Sequence, residues 1–345
     1  MGLIEQYKPV LLALSIGLIC GLTGNAIGMP LPWMLGPMIG NTIAALAHAP
    51  IKGPVKLRPI VVPIIGVMLG SAITPAFFAD LGPWALTLVA LPIILGASAS
   101  VSFLIYRRFG RHDPVTAYYA AMPGGLNEMM IQGEEAGADG RKIALAHALR
   151  ILLVILFVVA FFWVAMGVRT TGTSNWIALD ALTLWDYATL GACAFAGVWV
   201  GRWLRLPAAP VFGPMLLSGI AHLVGWVTVA PPSILVIIAQ LVMGTVIGCR
   251  FIGSSLKDIR GDLVLGVASA MAMLIVAVIC AEALAAFGLP LAQAFLAFAP
   301  GGLTEMSLLA LSMDQDPAYV STIHLIRITL VIAAAPLVFR WVLRR

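Results

Sequence analysis

Charge is what this sequence has least of. Of its 345 residues, 10% are charged and 61% are apolar, whereas an ordinary soluble domain carries roughly a quarter charged residues. So few charges cannot hold an apolar chain of this length in water, which excludes a soluble globular protein and turns much of the surface toward lipid. Cysteine is scarce too. Cys20, Cys193, Cys249 and Cys280 are scattered through apolar stretches with no metal-ligand spacing, so they read as packing residues rather than a disulfide framework or a zinc site. A basic, aromatic-interleaved cluster and a helix-turn-helix outside the apolar runs are both missing. The formal net charge of +5 therefore points to basic loops on the cytoplasmic side of a membrane and not to a nucleic-acid partner.

What the chain does have is long apolar runs. A helix needs about 20 such residues to cross ~30 Å of hydrocarbon, and Ile143–Met166 and Leu263–Phe287, the latter interrupted by Glu282, both qualify. Residues 9–24 follow Lys8 in the manner of a signal peptide, but no small-x-small cleavage site follows closely, and the segment is read as a retained first helix.

The chain also repeats itself, the feature to look for first in any sequence. Residues 123–129 read Pro-Gly-Gly-Leu-Asn-Glu-Met and residues 300–306 read Pro-Gly-Gly-Leu-Thr-Glu-Met, 177 positions later. The same offset relates Gly36-Pro37-Met38 to Gly213-Pro214-Met215, His147 to His324, and Arg150 to Arg327; one more residue relates Gly66 and Gly70 to Gly244 and Gly248. Several matches in one order predict a duplication, with a first membrane repeat over 1–168, a connecting loop over 169–184 that includes Arg169–Asn175, and a second repeat over 185–345. Helical spans are expected near 9–26, 31–49, 59–78, 84–106 and 143–167, and near 186–203, 209–228, 232–251, 262–287 and 318–342. A segment broken by Pro-Gly-Gly precedes the last span of each repeat, at 114–135 and 291–313.

If the broken segments dip into the bilayer and return, each repeat crosses five times and the two repeats are inverted. With a cytoplasmic N-terminus, all but three of the 20 Lys and Arg residues then lie inside: Arg169 is outside, and Arg150 and Arg327 lie within spans. If the broken segments cross instead, Arg141, Lys142, Arg202, Arg205, Arg250, Lys257 and Arg260 move outside, against the rule that short cytoplasmic loops hold the positive charge. The fold expected is thus an all-α polytopic membrane protein of two inverted repeats, about ten transmembrane helices plus two re-entrant broken helices, with both termini cytoplasmic.

Pro lacks a backbone donor and clashes with a continuing helix, and Gly weakens one, so each helix should break at Pro123, Gly124 and Gly125 and at Pro300, Gly301 and Gly302. Broken backbone within the bilayer is tolerated only when buried in protein or lining a wet cavity. Oppositely inserted tips would converge near the midplane, as in inverted-repeat transporters. The free amides of the second arm and its positive end suit an anionic part of a solute. Glu128 and Glu305 fall in the first turn of that arm, beside Asn127 and Thr304; they either cap their own helix or act as proton or substrate groups, intramembrane carboxylates being functional candidates. His147 and Arg150, like His324 and Arg327, are three apart and share a helix face. The arginines are expected to pair with Glu128 and Glu305, structurally or as charge balance, and the histidines could change charge near neutral pH. Two Glu and two His could also ligate a divalent ion, but two guanidiniums argue against gathering a cation there, so no metal or cofactor is assigned. Gly66-x3-Gly70 and Gly244-x3-Gly248 read as close helix contacts, and Gly36-Pro37 and Gly213-Pro214 as kinks.

The paired Pro-Gly-Gly-Leu-x-Glu-Met segments with their trailing His-x-x-Arg resemble the AbrB family of bacterial membrane proteins, over essentially the whole chain. This family is distinct from the small DNA-binding regulators of the same name. The resemblance implies a multi-pass protein of the bacterial inner membrane, and it singles out Pro123, Gly124, Gly125 and Glu128, then Pro300, Gly301, Gly302 and Glu305. Members carry labels as regulators of gene expression and, in some cases, as ammonia monooxygenase. An oxygenase needs a redox metal or cofactor site that these residues do not supply, and a transcription factor needs a DNA-reading surface. The function expected is a proton-coupled secondary transporter of a small polar or charged solute, not an enzyme; the alternatives are a membrane sensor acting on gene expression through a partner and, behind it, a metal-dependent oxygenase. Its partners would be the lipid bilayer and a small-molecule solute, with a homo-oligomer left open.

Overall fold

The computed structural model describes residues 2–73, 81–165, 176–206, 208–253 and 256–342. The connecting stretch Arg169–Asn175 and the ends of the expected spans at 74–78 and 166–167 lie outside these residues. Among the described residues there are fourteen α-helices and no strand. They are α1 Gly2–Ala26, α2 Pro32–Leu46, α3 Arg58–Ser71, α4 Leu81–Arg108, α5 Pro114–Ala121, α6 Leu126–Glu135 and α7 Gly140–Ala165. Then follow α8 Leu184–Trp203, α9 Ala209–Leu223, α10 Ser233–Gly248, α11 Leu256–Ala285, α12 Leu291–Phe298, α13 Leu303–Ser312 and α14 Pro317–Val342.

Among the described residues, six helical stretches are long and apolar enough to cross a membrane: Tyr7–Ala26, Trp84–Arg108, Gly140–Val164, Ser233–Phe251, Arg260–Ala285 and Pro317–Trp341. The other expected spans fall on helices of 14 or 15 residues (α2, α3 and α9) or, in α8, on a helix carrying Asp186 and Arg202. At 1.5 Å per residue, the 14–15-residue helices are about 22 Å long.

The chain divides into two compact units that cut across the sequence halves. One holds Met1–Phe78, Val159–Leu256 and Leu311–Ala318; the other holds Ala79–Val158, Lys257–Ala310 and Tyr319–Arg345. In the first unit, α2 packs against α1 and α10, and α9 packs against α8 and α3. Glycine explains why these helices come so close. A Cβ on Gly66 would strike the carbonyl of Val211, and one on Gly70 the carbonyl of Met215. A Cβ on Gly244 would likewise meet the carbonyl of Met34, and one on Gly248 that of Met38, the matching contacts with glycines 178 and partner residues 177 positions apart. The small-x3-small faces therefore seat α3 on α9 and α10 on α2. The two Gly-Pro steps serve the same end. Each helix runs on through Pro37 or Pro214, while Gly36 lies on the Cys20 carbonyl of α1 and Gly213 on the Gly197 carbonyl of α8. Leu31 and Ala208, just ahead of α2 and α9, both adopt left-handed backbone with φ 48°.

The second unit is built around the broken segments. Asp113 caps α5, its carboxylate accepting from the amides of Val115 and Thr116. The first broken segment lies on α14: Tyr118 Oη donates to the Ala335 carbonyl at 2.8 Å, Gln132 Nε2 donates to the Ile332 carbonyl at 3.2 Å, and Phe339 packs on Tyr118 and Tyr119. Helix α14 in turn meets α4, where Thr87 and Tyr319 share a hydroxyl hydrogen bond of 2.8 Å and Trp84 stands edge-on to the Tyr319 ring. Ser102 of α4 and Ser269 of α11 are joined at 2.6 Å.

Candidate functional site

Both Pro-Gly-Gly segments break their helices. The residues before the prolines, Met122 (φ −64°, ψ 128°) and Ala299 (φ −54°, ψ 130°), are extended, as the clash between a proline ring and the preceding residue requires. The first arms, α5 and α12, end there, and the second arms, α6 and α13, begin after Gly125 and Gly302. A break leaves the last carbonyls of the first arm and the first amides of the second without helical partners.

The arginines take up those carbonyls. Arg150 of α7 donates from Nη1 to the Met122 carbonyl at 2.8 Å and from Nη2 to the Gly124 carbonyl at 3.4 Å. Arg327 of α14 donates from Nη1 to Ala299 at 2.7 Å and from Nη2 to Gly301 at 2.8 Å. Donor and acceptor positions correspond one for one across 177 residues. Each guanidinium is 4% exposed, and a cation at the carbonyl end of a helix is favoured by its dipole. The expected pairing of Arg150 and Arg327 with Glu128 and Glu305 is thus corrected. The arginines bond to backbone, because the break itself supplies unmet acceptors directly across from them.

Both glutamates lie in the first turn of the second arm, each folded back over its tip glycine. A Cβ on Gly125 would strike Glu128 Oε2, and one on Gly302 would strike Glu305 Oε2. The inner glycines are crowded as well, Gly124 by Val331 and Met129 and Gly301 by Met306. The neighbours at these glycines are side-chain atoms rather than backbone, and the glycine φ values are not positive. The two glutamates differ in one respect: Glu128 is exposed, while Glu305 is 5% exposed. Thr304, Pro123 and Pro300 are buried. The backbone of Asn127 is in the first turn of α6, and its side chain lies outside the described set.

The histidines sit one turn before the arginines, both fully buried. Their contacts differ. His324 Nε2 donates to the Leu296 carbonyl of α12 at 3.0 Å, whereas His147 Nδ1 meets the Ile143 carbonyl of its own helix at 3.0 Å. All of these residues belong to one compact unit. Among the described residues, no group of three His, Cys, Asp or Glu side chains is placed to hold a metal ion. The carbonyls of Met122, Gly124, Ala299 and Gly301 are the members of the site that side-chain patterns could not reveal, and Tyr106, within electrostatic reach of Arg150, left no signal in the motif.

A family model described as "Transition state regulatory protein AbrB" matches residues 33–343. "Uncharacterized protein YhjN" of Bacillus subtilis (strain 168) is 27% identical over 98% of this chain and 93% of its own length. "Putative regulator AbrB" of Escherichia coli (strain K12) is 26% identical over 96% of this chain and 94% of its own length. With the doubled motif intact and the family model matched along nearly its whole length, this chain belongs to the AbrB family.

Proposed function

We propose that this protein is a secondary transporter of a small polar or charged solute, coupled to protons and built from two inverted repeats with ten crossings and two re-entrant broken helices. The observation that carries the proposal is the pair of helix breaks, each with its freed carbonyls held by a buried arginine three residues after a histidine. Soluble folds have little use for two such breaks. In transporters, discontinuous helices place unpaired backbone amides and carbonyls where a solute and its coupling ion bind.

In this scheme the solute meets the second-arm amides near Gly125 and Gly302, and Glu128 and Glu305 carry protons. The contrast between an exposed Glu128 and a buried Glu305 fits a site whose two tips are reached in turn from opposite sides. No catalytic step enters the scheme, and it works in the bacterial inner membrane with both termini cytoplasmic. Uptake of a transported solute into proteoliposomes under a proton gradient is the test. Glu128→Gln and Glu305→Gln, singly and together, should reduce gradient-driven uptake at least tenfold; wild-type rates in the double variant would end the coupling role.

A second reading, a membrane regulator acting through a partner, draws support from the name borne by the Escherichia coli relative. Its mark would be a partner retained on the purified protein through the cytoplasmic loops.

A further inference from the structure

Two guanidiniums are buried in one compact unit and, among the described residues, no carboxylate is bound to either. Arg150 acts repulsively on Arg327, and the bonds that the two guanidiniums make go to backbone carbonyls. Each guanidinium carries five N–H donors. Backbone carbonyls are the hydrogen-bond partners of Nη1 and Nη2, while Nε of both residues is buried without one. Beside them, Nδ1 of His324 is also buried without a hydrogen-bond partner. An uncompensated buried charge is among the costliest arrangements in a protein, and two of one sign in proximity are costlier.

The atoms the arginines occupy are equally informative. Carbonyls freed by an unwound transmembrane helix are the usual seat of a coupling sodium ion. Here two such seats, Met122 with Gly124 and Ala299 with Gly301, are filled by the protein's own side chains. A guanidinium tethered to α7 or α14 cannot leave with the solute.

We propose that Arg150 and Arg327 are the resident cations of this site, standing where a sodium ion would bind, and that the site takes a small oxyanion of the carboxylate or phosphate class without sodium. This rests on the transporter reading and narrows its solute to an anion. The start of each second arm adds a positive helix end and free amides. The carboxylates of Glu128 and Glu305 already stand beside Gly125 and Gly302 at those helix starts, so an anion bound there and an ionised glutamate repel each other. Protonating the glutamate as the anion binds relieves that conflict, which links proton and anion in one direction of movement.

The test uses the full chain in detergent, with inorganic phosphate and succinate as potassium salts titrated against potassium chloride while thermal unfolding is followed. At least one oxyanion should raise the melting temperature saturably, by roughly 4 °C at a hundredfold excess over Kd. Exchanging potassium for sodium should shift nothing. Arg327→Ala should lose the anion response, and free guanidinium at about ten millimolar should stabilise that variant but not the wild type, by refilling the vacated seat. If Arg327→Ala does not fold, Arg327→Lys and the two wild-type titrations decide. A saturable sodium effect on the wild type, oxyanions no better than chloride, or an intact anion response in the folded variant each overturns the inference. An oxyanion that binds but is never accumulated by proteoliposomes defeats transport and leaves the anion site standing. Accumulation of a neutral or cationic solute does the reverse.

Discussion

At the scale of single residues, the site is governed by what a helix break leaves unpaired. Proline at 123 and 300 forces the preceding residue to be extended, the carbonyls of Met122, Gly124, Ala299 and Gly301 come free, and the nearest long cation satisfies them. Arginine suits the task because its planar fork reaches two acceptors at once. A second titratable residue outside the spans offers a separate prediction. His112, in the α4–α5 connection, is buried, with Nε2 3.9 Å from Asp262 Oδ1 and its ring edge-on to Tyr106. Burial pushes its imidazole below the usual range and Lys142 pushes the same way, while Asp262, Asp113 and Asp139 pull upward without cancelling them. The folded state therefore binds this proton less readily than the unfolded chain, whose histidine titrates near 6.5. The contribution is full above that pH and is lost as pH falls from it toward the lower folded value. The melting temperature should decline on acidification below about pH 6.5, and His112→Gln should flatten part of that slope. An identical slope in the variant would show that other groups cause it.

At the scale of elements, glycine spacing decides which helices can touch. In α3 and α10 the glycines four apart lie against backbone rather than flexible side chains: Gly70 against Met215 and Gly219, Gly248 against Met38 and Thr42. Backbone cannot yield as a side-chain tip can. Gly70→Val or Gly248→Val should therefore cost about 3 kcal/mol, at the upper end of ordinary overpacking. Gly96 in α4 and Gly191 in α8 have nothing within 4 Å of an added Cβ, so alanine at either should be neutral or mildly stabilising. Thermal unfolding of the four variants separates close approach from general intolerance of substitution; equal losses in all four would contradict it.

For the whole molecule, the compact units and the sequence halves are different divisions. Helices α1 to α3 share a unit with α8 to α10, and the first broken segment and the second as far as Ala310 share the other unit with α4. The proposed inverted arrangement makes a sided prediction. In a cysteine-free background, Arg141→Cys and Arg260→Cys should both react from the cytoplasmic face of intact membranes, as should the control Arg108→Cys. Labelling of the first two from the periplasmic face, with the control still cytoplasmic, would mean that the broken segments cross and the repeats are parallel.

The membrane class, the positions of the helices and the two breaks were legible in the sequence, because apolar length and the backbone chemistry of proline and glycine act locally. The recurrence of His147, Arg150 and the Pro-Gly-Gly segments at one spacing was legible too, and the structure gathers these residues in one compact unit. The three-residue interval between His147 and Arg150 identified a shared helix face but not what that face meets. Every residue carries a carbonyl, so an acceptor of that kind leaves no trace in side-chain pattern, whereas a glutamate does. Only the tertiary structure directed the guanidiniums to the broken backbone, buried one glutamate while exposing the other, and seated α3 on α9 and α10 on α2. Those outcomes depend on contacts between segments far apart in the chain, which packing selects and local chemistry cannot.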